Sequence, residues 1–200
     1  MKKQLPVSTM VRISLLSVIA FFLMQFSVTL PIFPGFLSMD ISDIPALVGA
    51  LVMGPMAGIL ISLIKNLLDF VITGSNSGGI GQVANFIVAV ALITPISVIY
   101  KKRSNFRGYI IGSCIGIVFM VAVAAIFNCF VLIPMYSRII IPLEAIINMA
   151  YAINPRVHNM RTLIVFSIVP FNMLKGLTIV GIGALLHNGL IVMLRRYSAH

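Results

Sequence analysis

The chain has no tryptophan and very little charge. Of its 200 residues only 9% are charged, while 60% are hydrophobic. A soluble domain is about one-half apolar and about one-quarter charged, so this sequence is too poor in charge to cover a water-facing surface. Acids are scarcest: Asp40, Asp43, Asp69 and Glu144 are all there are. No Ser–His–acid set can be argued from four acids that fall mostly in loops or helix starts, so the sequence offers no catalytic group. His158, His187 and His200 are scattered, and none has a second ligand three or four residues away, so no metal site is expected. The two cysteines, Cys114 and Cys129, share one apolar run without CxxC spacing, which argues against a disulfide framework or zinc. The glycine-rich stretch Gly74–Gly81 lacks the Lys-Ser/Thr ending of a phosphate loop and follows no strand. ATP hydrolysis by that route is therefore excluded.

What the chain does have is long apolar runs separated by basic clusters. The net charge is +10, from 14 Lys and Arg against 4 Asp and Glu. Nucleic-acid binders carry such charge in a stripe on one face. Here it flanks apolar runs, as in membrane proteins. A spanning helix needs about 20 apolar residues. The pattern predicts helices over about Thr9–Leu30, Asp40–Met53 (short for a span), Met56–Thr73, Ile80–Tyr100, Gly108–Pro134 and Thr162–Leu194. The first is too long for a signal-peptide core and lacks a cleavage site, so it is expected to be retained. The fold class expected is an all-α membrane protein, one domain over residues 1–200, with six transmembrane helices. Lys2, Lys3, Arg12, Lys101, Lys102, Arg103, Arg107, Arg195 and Arg196 then fall on one side, and Arg138, Arg156 and Arg161 on the other. The richer side is expected to be cytoplasmic, with both termini there. The connection Met135–Arg161 is expected outside, with a short amphipathic helix over Pro142–Ile153.

Ionisable groups within spans are costly and point to function. Lys65 and Asp69 are four apart and share a helix face, so they either pair privately or line a polar cavity. Asn172 and Lys175 also share a face, and Lys175 is too deep to reach an interface. It needs a partner from another helix or a ligand. Asn85 is a further candidate, and Asn128 reads equally as interhelical glue or ligand contact. On the first helix Ser14, Ser17 and Ala20 form a small-residue stripe, suited either to internal packing or to a partner.

The stretches Met39-Asp-Ile-Ser-Asp-Ile-Pro, Gly54-Pro-Met-Ala-Gly, Ile64-Lys-Asn-Leu-Leu, Gly78-Gly-Ile-Gly-Gln-Val-Ala-Asn, Pro142-Leu-Glu-Ala-Ile and Pro170-Phe-Asn-Met-Leu-Lys-Gly occur in order along most of the chain. Together they resemble the riboflavin-specific substrate-binding subunit (S-component) of energy-coupling factor transporters. The resemblance implies riboflavin as transported substrate, bound from outside under a lid made by the first loop. It also implies partners: a coupling transmembrane protein and two cytoplasmic ATPase subunits that drive a multi-pass component of the cell membrane. It implies that Asn172 and Lys175 hydrogen-bond the flavin, that Phe36, Leu37 and Met39 pack on its rings, and that Asn85 and Gly79 lie beside it. Asp43, Lys65 and Asn128 complete the expected substrate site. The Ser14, Ser17 and Ala20 face is expected to meet the coupling protein. Ser38, Ser62 and Gln82 stand where such subunits commonly carry charge. The chemistry is compatible, because a flat vitamin suits an apolar pocket with a few directed polar groups. The alternatives are an S-component for another small vitamin, or a proton-coupled secondary carrier using Asp69.

Overall fold

The computed structural model describes residues 6–75 and 78–191. Lys2, Lys3, Arg195, Arg196, His200 and the expected end of the last helix at Leu194 lie outside the described residues. Helix α1 (Val7–Gln25) starts after Pro6, whose extended backbone suits a helix entrance. It stops five residues earlier than expected. Val28–Thr29 (β1) instead pairs antiparallel with Ser38–Met39 (β2), so the expected all-α fold gains a short hairpin. The β-branched pair and Pro31 explain this, because a proline disfavours helix at the residue before it.

Helix α2 (Asp43–Met53) is buried from Asp43 through Leu51. A helix apolar on all sides belongs in the centre of a bundle. Gly54, at φ 103°, and Pro55 then turn the chain into α3 (Pro55–Leu68), which a π-helical turn extends over Asp69–Thr73. Glycine supplies the positive φ, and proline at the first helical position costs no hydrogen bond. The two helices approach closely at Gly58, where an added Cβ would sit 2.6 Å from the Ala50 Cβ and 2.8 Å from the Ala46 carbonyl oxygen. Next come α4 (Ile80–Lys102) and α5 (Phe106–Phe127), the latter capped by Asn105, whose side chain accepts from the Gly108 N–H at 2.8 Å.

A π turn (Asn128–Leu132) joins α5 to α6 (Ile133–Ile139), so this helix passes through Pro134 rather than ending there. The connection beyond contains α7 (Leu143–Tyr151), where the amphipathic segment was expected. Asn159 and Thr162 form a reciprocal cap at α8 (Met160–Leu163). A π turn (Ile164–Ile168) leads into α9 (Val169–Leu186), and another follows over His187–Ile191. Two of these π turns stand just before Pro134 and Pro170. Proline leaves a carbonyl one turn back without its donor, and a wider turn accommodates that defect inside an apolar span.

Among the described residues, five helical segments are long and apolar enough to cross a membrane: Val7–Gln25, Pro55–Thr73, Ile80–Lys102, Phe106–Ile139 and Met160–Leu186. Helix α2, of 11 residues, is shorter. At about 1.5 Å per residue it reaches roughly half of a hydrocarbon core of about 30 Å. Two apolar clusters hold the molecule. The larger centres on α2, α3, α4 and α9, with Leu47, Ile61, Leu92 and Ile179 fully buried. The smaller joins Ile133, Ile146, Ala150, Val157 and Leu163 with Phe36 of the first loop.

The small-residue stripe of α1 is divided. Ser17 and Ala20 are fully buried, while Ser14 is exposed. Helix α1 packs on α2 and α3. The expected partner face is therefore corrected for Ser17 and Ala20: small side chains let neighbouring helices of this same bundle approach, and the surface is already covered.

Candidate functional site

A cavity of about 490 Å³ opens at one end of the bundle. The last turn of α1 (Gln25), the end of the α3 extension (Thr73), the start of α4 (Gln82, Asn85), the end of α5 (Asn128) and the start of α9 (Asn172) all line it. At the other end Tyr100 of α4, Phe106 of α5 and His187 meet, with the His187 ring nitrogen Nε2 3.1 Å from the Tyr100 hydroxyl. Helices α1 and α3 therefore run in the same direction, α4, α5 and α9 alternate after them, and the cavity lies opposite the Lys101–Arg107 basic cluster.

The floor is built from four charges. The chain after the hairpin dips into the bundle, so α2 begins deep, beside Lys65. Lys65 lies eight residues, or about 12 Å along the helix, below Thr73. Lys65 donates to the Asp43 carboxylate and the Ser42 hydroxyl, and both Lys65 and Asp43 are fully buried. Lys175 donates to Asp40 Oδ2 at 3.0 Å and to Asn85 Oδ1 at 3.1 Å, and lies 3.6 Å from Asp43 Oδ2. The Ser42 N–H donates to Asp40 Oδ1 at 2.9 Å, and its hydroxyl donates to the same oxygen. Two lysines and two aspartates thus close on one another with no net charge.

The private Lys65–Asp69 pair is not formed. Helical side chains lean toward the N-terminus, so Lys65 extends away from Asp69, and Lys before acid is the poorer order for an i, i+4 pair. Asp69 instead accepts from Gln25 Nε2 at 3.0 Å and Gln82 Nε2 at 2.8 Å, at the cavity mouth.

Of the residues expected at the site, Asn172, Lys175, Asn85, Phe36, Leu37 and Asn128 line the cavity together. Asn172 and Asn128 each donate their amide to the carbonyl four residues back, at 2.8 Å. This fixes the side chains and leaves their amide oxygens available. Met39, Asp43 and Lys65 do not line it. Met39 is tied into the hairpin, and the other two lie beneath the floor. Gly79, with Gly78, faces a separate apolar groove with Phe70 and Phe86, while Gly74, Ser75 and Gly81 of that stretch reach the cavity. The sequence reading overlooked Asp40, Gln25 and Gln82 as lining groups. Charge matching offered a signal: two deep lysines need two acids, and only Asp40 and Asp43 precede a buried helix.

Known proteins resemble this chain over most of its length. Residues 8–186 match the family described as the substrate-specific component of ECF transporters. The riboflavin transporter FmnP of Bacillus subtilis (strain 168) is 34% identical over 178 residues, covering 88% of this chain and 87% of the relative. The riboflavin transporter RibU of Staphylococcus aureus (strain TCH60) is 35% identical over 187 residues, covering 94% and 92%. A solved structure of the S component of a bacterial ECF transporter superposes with a TM-score of 0.72 at 30% identity, over 94% of this chain and 98% of that one. The chain belongs to the family of substrate-specific components of ECF transporters.

Proposed function

We propose that this protein is the riboflavin-binding component of an ECF-type vitamin importer, taking the vitamin from outside and passing it on with a separate ATP-driven module. The observation that carries the reading is the cavity itself: aromatic and aliphatic walls over a charged floor that neutralises itself, with fixed asparagine amides aimed inward. Its volume lies within the range of small-molecule pockets, about 300–1,000 Å³. An amide oxygen and amide N–H together complement the donor and acceptor edge of a flavin ring. A self-neutralised floor suits a neutral ligand better than an organic anion. Family membership favours this reading over a proton-coupled carrier built on Asp69, and names a transport component rather than an enzyme.

The same proposal includes the orientation. Helices α1 and α3 both end at the cavity, so α2 between them acts as a sixth, shortened crossing whose upper half is replaced by the dipping loop. The basic cluster Lys101–Arg107 lies opposite the cavity, and the excess of positive charge on cytoplasmic sides supports a cavity open to the outside with both termini in the cytoplasm. A coupling transmembrane protein and ATPase subunits are the partners, since no phosphate loop occurs in this chain.

The test is the absorption and fluorescence of the detergent-purified protein. Wild type is expected to carry or take up flavin at one equivalent, and Asn172→Ala and Lys175→Ala to lose most of it. Flavin retained undiminished by both variants removes the assignment. Tight binding of a different vitamin in its place removes the named substrate.

A further inference from the structure

Four of the charges at and beneath the cavity floor are balanced, and a fifth is not. Asp40 and Lys175 cancel at the floor, and Asp43 is satisfied beneath it by Lys65. Asp69 lines the cavity near its mouth and is 7% exposed. Among the described residues no cation lies within ion-pair distance of it. Its two bonds come from the neutral amides of Gln25 and Gln82. Those amides are themselves held: the Thr73 hydroxyl donates to Gln25 Oε1 at 3.2 Å, and the Ser75 hydroxyl donates to Gln82 Oε1 at 3.0 Å. Each hydroxyl fixes which end of its glutamine faces the carboxylate. The chain Thr73–Gln25–Asp69–Gln82–Ser75 therefore presents one uncompensated negative charge to the cavity, in a set orientation.

We propose that Asp69 is a specificity residue, which admits the neutral hydroxyl-bearing vitamin and rejects its phosphate ester. The inference deepens the riboflavin reading and rests on it. A carboxylate offers about four acceptor positions, of which the glutamines use two, so acceptor capacity remains for ligand hydroxyls. A phosphate monoester has no hydrogen to donate there and brings a charge of about −1.5 to −2. The lining holds Asp40, Asp69 and Lys175 as its charged groups among the described residues, so its balance is negative before any anion arrives. Like charges separated by about 10 Å, at an effective dielectric constant of about 20, repel enough to weaken binding by about tenfold per unit charge. Gln25 and Gln82 act as positioning residues, since they hold the carboxylate without neutralising it.

The test titrates flavin-free protein in detergent with riboflavin and, separately, with riboflavin 5′-phosphate, following quenching of flavin fluorescence. Wild type is expected to prefer riboflavin by at least tenfold. Asp69→Asn is expected to bind the phosphate ester about 30- to 100-fold more tightly than wild type while binding riboflavin somewhat less tightly. Asp69→Glu is expected to keep the wild-type preference. A purely structural role for Asp69 would weaken both ligands in parallel, and that outcome overturns the inference. So does an unchanged preference in Asp69→Asn, or equal affinities in wild type. Wild type that binds neither flavin overturns the vitamin reading itself, and the inference falls with it.

Discussion

Substituting Asp43 by Asn leaves Lys65 as a buried ammonium without a full counter-charge. The magnitude follows from the geometry. Lys65 and Asp43 are both fully buried and bonded directly to one another. Removing one partner of such a pair costs about 3–5 kcal/mol, whereas replacing both by apolar groups of similar volume is often neutral. The surrounding cluster softens the loss in one direction only. With Lys65 gone, Lys175, already 3.6 Å from Asp43 Oδ2, can serve both acids. With Asp43 gone, Asp40 must serve both lysines, from a position that reaches only one of them. Asp43→Asn is therefore expected to destabilise more than Lys65→Met, and the double change Asp43→Asn with Lys65→Met less than the sum of the two by about 3 kcal/mol. The assay is thermal or denaturant unfolding of the purified protein in one detergent, run as a double-mutant cycle. Single substitutions that each cost under about 1 kcal/mol and add without coupling would refute the idea that this cluster anchors α2 against α3.

Gly58→Ala is expected to destabilise by at least about 1–3 kcal/mol in the same assay, because its Cβ would meet Ala50 and the Ala46 carbonyl, and a loss below about 0.5 kcal/mol would show that α2 and α3 have slack. Tyr109→Phe removes a buried hydroxyl that donates to the Val180 carbonyl at 2.7 Å, with an expected cost of about 1 kcal/mol and no change in flavin affinity. For orientation, single cysteines at Ser104 and Asn154, in a background with Cys114 and Cys129 replaced, are expected to react with an impermeant maleimide only after permeabilisation and without it, respectively. The reverse pattern would invert the proposed topology.

The spans were legible because they rest on length and hydropathy, which a single sequence carries in full. The start of α3 at Gly54-Pro55 and the Asn105 cap of α5 rest on signals that are equally local. What escaped was non-local. Thr9–Leu30 reads as one apolar run, and only the pairing of Val28 with Met39 shows where the helix stops. Pro134 reads as a helix end, yet the π turn before it lets the helix continue to Ile139. At the site, Asn172 and Lys175 stood out because a polar group in a span has few innocent explanations. Asp40 and Gln25 did not, because a loop acid and a helix-end amide look ordinary until the fold places them against a buried lysine and Asp69. The stripe of Ser17 and Ala20 misled for the opposite reason: small residues mark close helix contact, and sequence cannot say whether the neighbour belongs to the same chain.

The bonds of Lys175 bear on how the cavity closes. An ammonium has three donors, and here one goes to Asp40, one to Asn85 and the third faces Asp43. With all three directed at the protein, a ligand can reach Lys175 only by displacing one of them. Asp43 is held by Lys65, and Asn85 sits on a long rigid helix, so the bond easiest to exchange is that to Asp40, whose other oxygen keeps its Ser42 contacts. Asp40 belongs to the loop that carries Phe36 and Leu37 over the cavity, and Phe36 packs on the cluster containing Ile146 of α7. Ligand contact at the floor is thereby coupled to the position of the cover through a single side chain. The coupling requires Asp40→Asn to change the rates of flavin binding and release more than the equilibrium affinity, because it alters the tie rather than the walls. Stopped-flow quenching against equilibrium titration separates the two, and a changed affinity carried wholly by the release rate, with the binding rate unchanged, would show that floor and cover act independently.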